Sequence, residues 1–266
     1  MRPNALRRFL KRQAFLPNPL GVLNNPSYIV RSRLFEALRD CAPAIGGKVL
    51  DFGCGSKPYE SLFPRATDYV GLDIAVSGHA HADSRVDVFY DGTTIPFPDA
   101  YFDAVVSFEV FEHVFNLPDV LAEIRRVLKP SGRLLVTVPF AWPEHEQPYD
   151  FARYTSFGLK AALERSGFDV LRVEKTGDYV LALAQLLVTY VQLSVARWPR
   201  VPALAVQFLL LAPMTAVGLG ISRLLPRRTE IFCNLVVVAE AQRRDVAERA
   251  GTAAGTTACA SPPLPC

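Results

Sequence analysis

The chain has 266 residues, half of them hydrophobic, and a formal net charge of only +3, which is enough chain for one α/β domain with a sizeable core plus an insertion. No Lys/Arg cluster interleaved with aromatic residues marks a nucleic-acid surface. Five cysteines, Cys41, Cys54, Cys233, Cys259 and Cys266, show no C-x-x-C spacing, which argues against a zinc or disulfide framework and suits a reducing, cytoplasmic setting.

The charge is unevenly placed. Arg2, Arg7, Arg8, Lys11 and Arg12 crowd the first twelve residues, a cluster suited to an anionic surface. Residues 5–16 put Leu6, Phe9 and Leu10 on one helical face and the basic residues on the other, until Pro17 and Pro19 stop the pattern. Residues 1–27 are therefore expected to form a basic amphipathic segment, which either lies on a membrane surface or caps the core with a solvated face. Lys11 and Arg12 interrupt its apolar run, so no signal-peptide core is expected.

A helix is expected over Tyr28–Cys41 and a strand over Lys48–Phe52. That strand opens the run VLDFGCGSKPY, Val49–Tyr59, in which an apolar strand feeds a tight glycine turn. Gly53 and Gly55 suit a backbone that bends sharply and approaches a ligand closely. Cys54 is a small residue fitted to that turn. The turn continues Ser56, Lys57, Pro58, without the third glycine that lets a helix pack under a pyrophosphate, so a dinucleotide site is not implied. The next strand, Tyr69–Ile74, ends in GLDIA, where the Asp73 carboxylate is placed to accept hydrogen bonds from a ribose diol.

Further strands are expected near Val86–Tyr90, Phe102–Phe108 and Arg133–Val138, with apolar runs suited to burial on both faces. Leu117–Gly132 reads as an amphipathic helix in which Val120, Leu121, Ile124, Val127 and Leu128 repeat at helical spacing. A helix over Ser156–Arg165, a strand over Asp169–Val173 and a final strand over Phe232–Glu240 complete the domain.

Three segments follow the glycine turn in order: DGTTIPFPDAYFDAVVSFEVFEHV (Asp91–Val114), LAEIRRVLKPSGRLLVTVP (Leu121–Pro139) and EHEQPYDFARYT (Glu144–Thr155). With that turn, they make the chain resemble a class I S-adenosylmethionine-dependent methyltransferase of the methyltransferase type 11-like bacterial branch, from about Tyr28 to Val173 and again near Phe232. The resemblance implies an α/β, Rossmann-like, doubly wound and mostly parallel seven-stranded sheet, with S-adenosyl-L-methionine as cofactor. It places Asp51, Gly53 and Gly55 at the methionine end of the cofactor, Asp73 at the ribose and Asp91 with the Gly92 backbone at the adenine edge, with Cys54, Ile74 and Phe108 as further cofactor-binding candidates. It departs from the family pattern at Lys57, where a third glycine is common.

In an open α/β sheet the ligand lies beyond the carboxyl ends of the strands, so residues just after the fourth and fifth strands face the transferred methyl. Glu109, Glu112 and His113 form one cluster, whose i, i+3, i+4 spacing shares a helical side where a helix has begun. Glu144, His145, Tyr149, Asp150, Arg153 and Tyr154 form the other, of which Glu144, Tyr149, Asp150, Arg153 and Tyr154 are the candidate substrate-binding set. A hydroxyl acceptor needs a base, and His145 and His113, with Glu109 beside them, are the catalytic candidates; each histidine alternatively only bonds a neighbouring loop. Arg153 with Tyr154 suits an anionic substrate group, or Arg153 pairs with Asp150 to hold the loop. Glu112, His113, Glu144 and His145 are of metal-ligand type, but their spacing matches no ligand signature and no metal is expected.

Before the last strand sits a hydrophobic helical insertion. Tyr179–Ala196 and Val201–Ser222 carry no charge, and Arg197-Trp198-Pro199-Arg200 divides them. Gln185, Thr189 and Gln192 share one stripe of the first stretch, and Pro213 interrupts the second, which favours a monotopic contact over a spanning hairpin; a buried cap or homodimer interface are the other readings. The expected division is 28–178 with 229–243 as the methyltransferase domain, 179–228 as the insertion, and 244–266 as a tail too poor in large apolar residues to fold. The function expected is O-methylation of a lipid-linked or amphiphilic acceptor at the cytosolic face of the inner membrane. Methylation of a soluble metabolite, or a non-catalytic cofactor-binding membrane module, are the alternatives.

Overall fold

The computed structural model describes residues 13–75 and 84–243. Most of the expected N-terminal helix, all of the expected tail, and Cys259 and Cys266 lie outside the described residues. Helix α1 (Tyr28–Cys41) leads into strand β1 (Gly46–Phe52), followed by β2 (Arg65–Ile74), β3 (Val88–Tyr90) and β4 (Phe102–Phe108). Then come α2 (Leu117–Val127), β5 (Leu128–Pro139), α3 (Ser156–Arg165) and β6 (Phe168–Lys175). Helix α4 (Tyr179–Val195) and a long helix α5 (Arg200–Leu224) precede β7 (Asn234–Ala241).

The strands form one sheet in the order β3-β2-β1-β4-β5-β7-β6, parallel except for β7, which runs antiparallel between β5 and β6. Each central strand alternates its side chains between two cores. Leu50, Val105, Leu134, Val136 and Val237 face the core closed by Leu121, Ile124 and Val127 of α2 and Leu159 and Leu163 of α3. Val49, Ala104, Val106, Leu135 and Val236 face the core closed by Leu34, Ala37 and Leu38 of α1. The period of two along each strand thus builds the three-layer sandwich. It also fixes the place where strand order reverses, between β1 and β4, as the crevice for a ligand.

One expected element ends early. Helix α2 stops at Val127, and Leu128 is already extended (ψ 137°) and paired with Phe102. The proline at 130 disfavours helical backbone at Lys129, and Ser131 adopts φ +60°, so the sequence expected to finish the helix forms an irregular start to β5.

The insertion packs one face on α1 through Ile29, Val30, Leu181, Ala182 and Leu219. Gln185, fully buried, bonds Pro26 O at 2.9 Å and Thr189 Oγ1 at 3.0 Å and accepts from Val30 N–H at 3.3 Å. The polar stripe of α4 therefore meets protein. Asp178 caps α4 through Leu181 N–H and accepts a bond from Ser222 of α5 at 2.5 Å, fastening both helices to the end of β6. In α5 a π-helical turn, Gln207–Leu211, lies just before Pro213, where the missing N–H of proline breaks the regular ladder. Among the described residues, α5 is the helix long and apolar enough to cross a membrane, and only 28% of its apolar window is buried.

Candidate active site

At the carboxyl ends of β1, β2 and β4 the described residues enclose a cavity of about 430 Å³. One wall is the glycine turn. Gly53 and Gly55 hold φ of +72° and +47°, and the N–H groups of Gly53 and Cys54 both donate to Leu72 O, folding the turn against β2. A β-carbon on Gly53 would lie 2.4 Å from Val110, whereas one on Gly55 would enter open space. The turn thus leaves a cradle that any side chain would fill, and it is edged by the Asp73 carboxylate, which accepts from Gly55 N–H at 3.0 Å and from its own neighbour Ile74 N–H at 2.8 Å.

Lys57, where the family often has glycine, explains itself here. Its backbone takes φ +52°, and its buried side chain runs beneath the turn to donate to Tyr69 O at 3.2 Å and to pair with Asp87. Asp87 also accepts from Gly71 N–H at 2.7 Å; burial opposes its charge, but the Gly71 and Lys57 donors overcome that and hold its carboxyl below the usual range. The lysine therefore pins the turn to β2.

Of the cofactor residues expected from sequence, Gly53, Cys54, Gly55, Asp73, Ile74 and Phe108 line this cavity. Asp51 lies behind the turn, fully buried, accepting from Tyr69 OH at 2.8 Å; desolvation raises its pKa to about 7. The exposed Asp91 carboxylate is off the cavity wall and is bonded by the Thr93 side chain and by Thr93 and Thr94 N–H, bonds that draw its pKa down to about 2, and Gly92 beside it holds φ +85°. Burial raises the Cys54 thiol well above its ordinary value, which leaves it inert.

The opposite wall comes from the loops after β4 and β5. Glu109 sits at φ +56°, a strained backbone for this residue, held by its N–H to Thr137 O at 3.0 Å. Its carboxylate accepts from Thr137 Oγ1 and Asn234 Nδ2, both at 2.9 Å, so it braces β4 against β5 and β7. The expected helical side of Glu109, Glu112 and His113 is not formed. The left-handed Glu109 ends the strand, and Phe111–His113 make a single 3-10 turn. Glu109 and His113 still reach the cavity, while Glu112 is buried behind them.

His113 and His145 stand edge to face with ring centroids 4.7 Å apart. His113 Nδ1 lies 2.8 Å from Tyr149 O. His145 is lowered in pKa by burial and by His113, which keeps the imidazole neutral near pH 7. Both line the cavity, with Glu146 and Trp142 beside them.

The substrate-binding set does not reach the cavity. Glu144 and the Tyr149 ring are exposed, and Tyr154 packs against the core. Arg153 grips Asp150 with two bonds, of 2.5 and 2.6 Å, and donates to Pro143 O at 3.1 Å; that pairing draws the Asp150 pKa to about 2. Asp150 in turn accepts from His145 N–H at 2.9 Å. The arginine holds the loop that carries His145.

Arg31 and Tyr59 were not singled out in the sequence and both line the cavity. Arg31 brings the only lysine or arginine side chain to the wall among the described residues, over the ring of Phe15 at 5.0 Å. Burial works against its charge, and Tyr59, Glu109 and Glu112 more than offset that.

A nucleotide-sized cavity at the switch point, a glycine cradle with a carboxylate at its rim, and two imidazoles opposite define a methyltransferase-type site. A family model described as a methyltransferase domain matches residues 27–173, more than half of the chain. The chain belongs to the class I S-adenosylmethionine-dependent methyltransferases. A probable S-adenosylmethionine-dependent methyltransferase of Mycolicibacterium smegmatis is 33% identical over 137 residues, covering 47% of this chain and 53% of that protein. The fatty-acid O-methyltransferase of the same organism is 34% identical over 158 residues, covering 55% and 57%. The chain thus spans about half the length of the curated relatives it matches. Among solved structures, that of the [4+2]-cyclase SpnF aligns with a TM-score of 0.52 at 20% identity, over 80% of this chain and 81% of that one, a likeness of fold.

Proposed function

We propose that the protein transfers a methyl group from S-adenosylmethionine to a hydroxyl oxygen of a lipid-linked or amphiphilic acceptor, working at the cytosolic face of the inner membrane. The observation that carries the chemistry is the single cavity that joins the Gly53–Gly55 cradle and Asp73 to the His113–His145 pair. The cofactor supplies an electrophilic methyl group on a sulfonium sulfur. Asp73 holds the ribose hydroxyls, the glycine turn admits the methionine backbone, and Arg31 offers a cation to its carboxylate. Tyr90 and Ile74 flank the base. On the far wall the two imidazoles receive the acceptor oxygen and take up its proton, with Glu109 fixing the geometry between β4 and β5.

The membrane half rests on the insertion. Its inner face is docked on α1, yet Leu187, Tyr190 and Leu193 of α4 and Leu204, Phe208 and Leu209 of α5 remain exposed. So much apolar surface beside a catalytic domain suits insertion into the headgroup boundary. The fatty-acid O-methyltransferase among the relatives is consistent with an apolar acceptor.

The test replaces His113 and His145 separately with alanine. Methyl transfer should fall by about 10²-fold or more while cofactor affinity is retained. Unchanged transfer in both variants would contradict this assignment.

A further inference from the structure

Glu112 and His113 follow β4 and His145 follows β5, and one donor atom from each lies within 4.8 Å of the others. Glu112 has no exposed surface, and neither of its carboxylate oxygens has a hydrogen-bond partner. A buried carboxylate so placed is destabilising unless a proton or a cation satisfies it.

His113 argues for a cation. Tyr149 O, 2.8 Å from Nδ1, can only accept, so Nδ1 carries a hydrogen and Nε2 faces the cluster. That Nε2 is buried without a hydrogen-bond partner, 3.8 Å from Glu112 Oε1 and 3.5 Å from Glu146 Oε1. His113 Nε2 and the Glu112 carboxylate therefore converge, neither with a hydrogen-bond partner. Behind His145 the Asp150 carboxylate, held by Arg153, lies 3.2 Å from Nδ1 without forming a hydrogen bond to it. Backing of an imidazole by a carbonyl or carboxylate is the arrangement that orients histidines toward a metal.

We propose that Glu112, His113 and His145 bind a divalent first-row transition cation at the acceptor end of the cavity. Two imidazoles and a carboxylate suit zinc, cobalt, manganese or ferrous iron better than magnesium or calcium. Both histidines line the cavity, so the cation keeps open positions toward it. Resting on the methyltransferase reading for its role, the ion would bind the acceptor's hydroxyl and ease its ionisation, the proton leaving to solvent water and the two imidazoles serving as ligands in place of direct bases. The reading also gives Tyr149, Asp150 and Arg153 a purpose, since they hold the ligands and stay off the cavity wall.

The experiment uses the untagged full chain, freed of metal by chelator and titrated with Co²⁺, followed by calorimetry and visible absorption. One equivalent should bind, with d–d bands of nitrogen and oxygen ligation. Glu112→Gln and His145→Asn should each weaken binding at least tenfold while circular dichroism and S-adenosylhomocysteine affinity stay unchanged. If Glu112→Gln does not fold, the partly exposed His145 supplies the test alone. Absence of Co²⁺ binding, binding unaffected by His145→Asn, or the charge-transfer bands of thiolate ligation would each overturn the inference. Metal binding is read without any acceptor. Methyl transfer by metal-free protein would therefore refute the ion's part in the reaction and leave the histidines as direct bases, whereas a bound ion without methyl transfer would uphold the site and count against the proposed transfer.

Discussion

The carboxylate of Asp73 accepts the backbone N–H of Gly55 at 3.0 Å, so the end of β2 holds the glycine turn in the shape the cofactor needs. One residue thereby shapes the cradle and, in the proposed function, holds the ribose. Asp73→Ala removes both contributions and is expected to weaken S-adenosylhomocysteine binding by about 2–4 kcal/mol, the cost of charge-assisted hydrogen bonds left unmade. Calorimetric titration reads this directly, and unchanged affinity would remove Asp73 from the site.

The two glycines of the turn should fail differently. Gly53→Ala forces a side chain into φ +72° and brings its β-carbon within 2.4 Å of Val110, so it should destabilise the fold by about 2 kcal/mol or more. Gly55→Ala meets no protein atom within 4 Å, so its stability loss should stay near the ~1 kcal/mol of a left-handed residue while cofactor affinity falls. Urea unfolding combined with titration separates the two; equal stability losses would contradict the placement of the cavity beside Gly55.

Asp51 makes the fold sensitive to pH. Its pKa rises from 3.8 to about 7 through burial. A carboxyl raised on folding favours the native state below its unfolded pKa and loses that contribution as pH climbs through the folded value. Between pH 4 and pH 8 the loss is on the order of 4 kcal/mol. Asp51→Asn, which keeps an acceptor for Tyr69 OH, should therefore become progressively more stable relative to the parent as pH rises across that window. A stability difference independent of pH would show Asp51 to be ionised throughout.

Leu187 and Tyr190, 56% and 70% exposed, stand on the outer face of α4. The double substitution Leu187→Asp, Tyr190→Asp should reduce partition onto anionic vesicles by about tenfold or more, since each buried apolar side chain contributes about 1.5–3 kcal/mol. Sedimentation with vesicles measures it. A parent chain that stays in solution while forming dimers would assign this face to a second copy.

Much of the fold could be read from the sequence because it rests on local patterns. Apolar runs such as Val49–Phe52 and Phe102–Phe108 mark buried strands, and the uncharged stretches after Tyr179 mark the insertion. The glycine turn and Asp73 were legible for the same reason, being set by backbone geometry within one strand–turn–strand unit. Long-range placement was not legible. Arg31 reaches the cavity only once α1 packs on the sheet, and the departure of Glu109 into left-handed backbone cancels the helix that its spacing with His113 required. The sequence left Arg153 open between an anionic substrate group and Asp150, and the choice of Asp150 with the added bond to Pro143 O appears only when the loop closes.

The most direct measurement incubates the purified full chain with methyl-labelled S-adenosylmethionine and, separately, a membrane lipid extract and the soluble metabolites of its host. Label is expected in the lipid extract, bound through an oxygen and dependent on His113 and His145. Label confined to the soluble metabolites would contradict the lipid-facing account and leave the insertion as a protein contact.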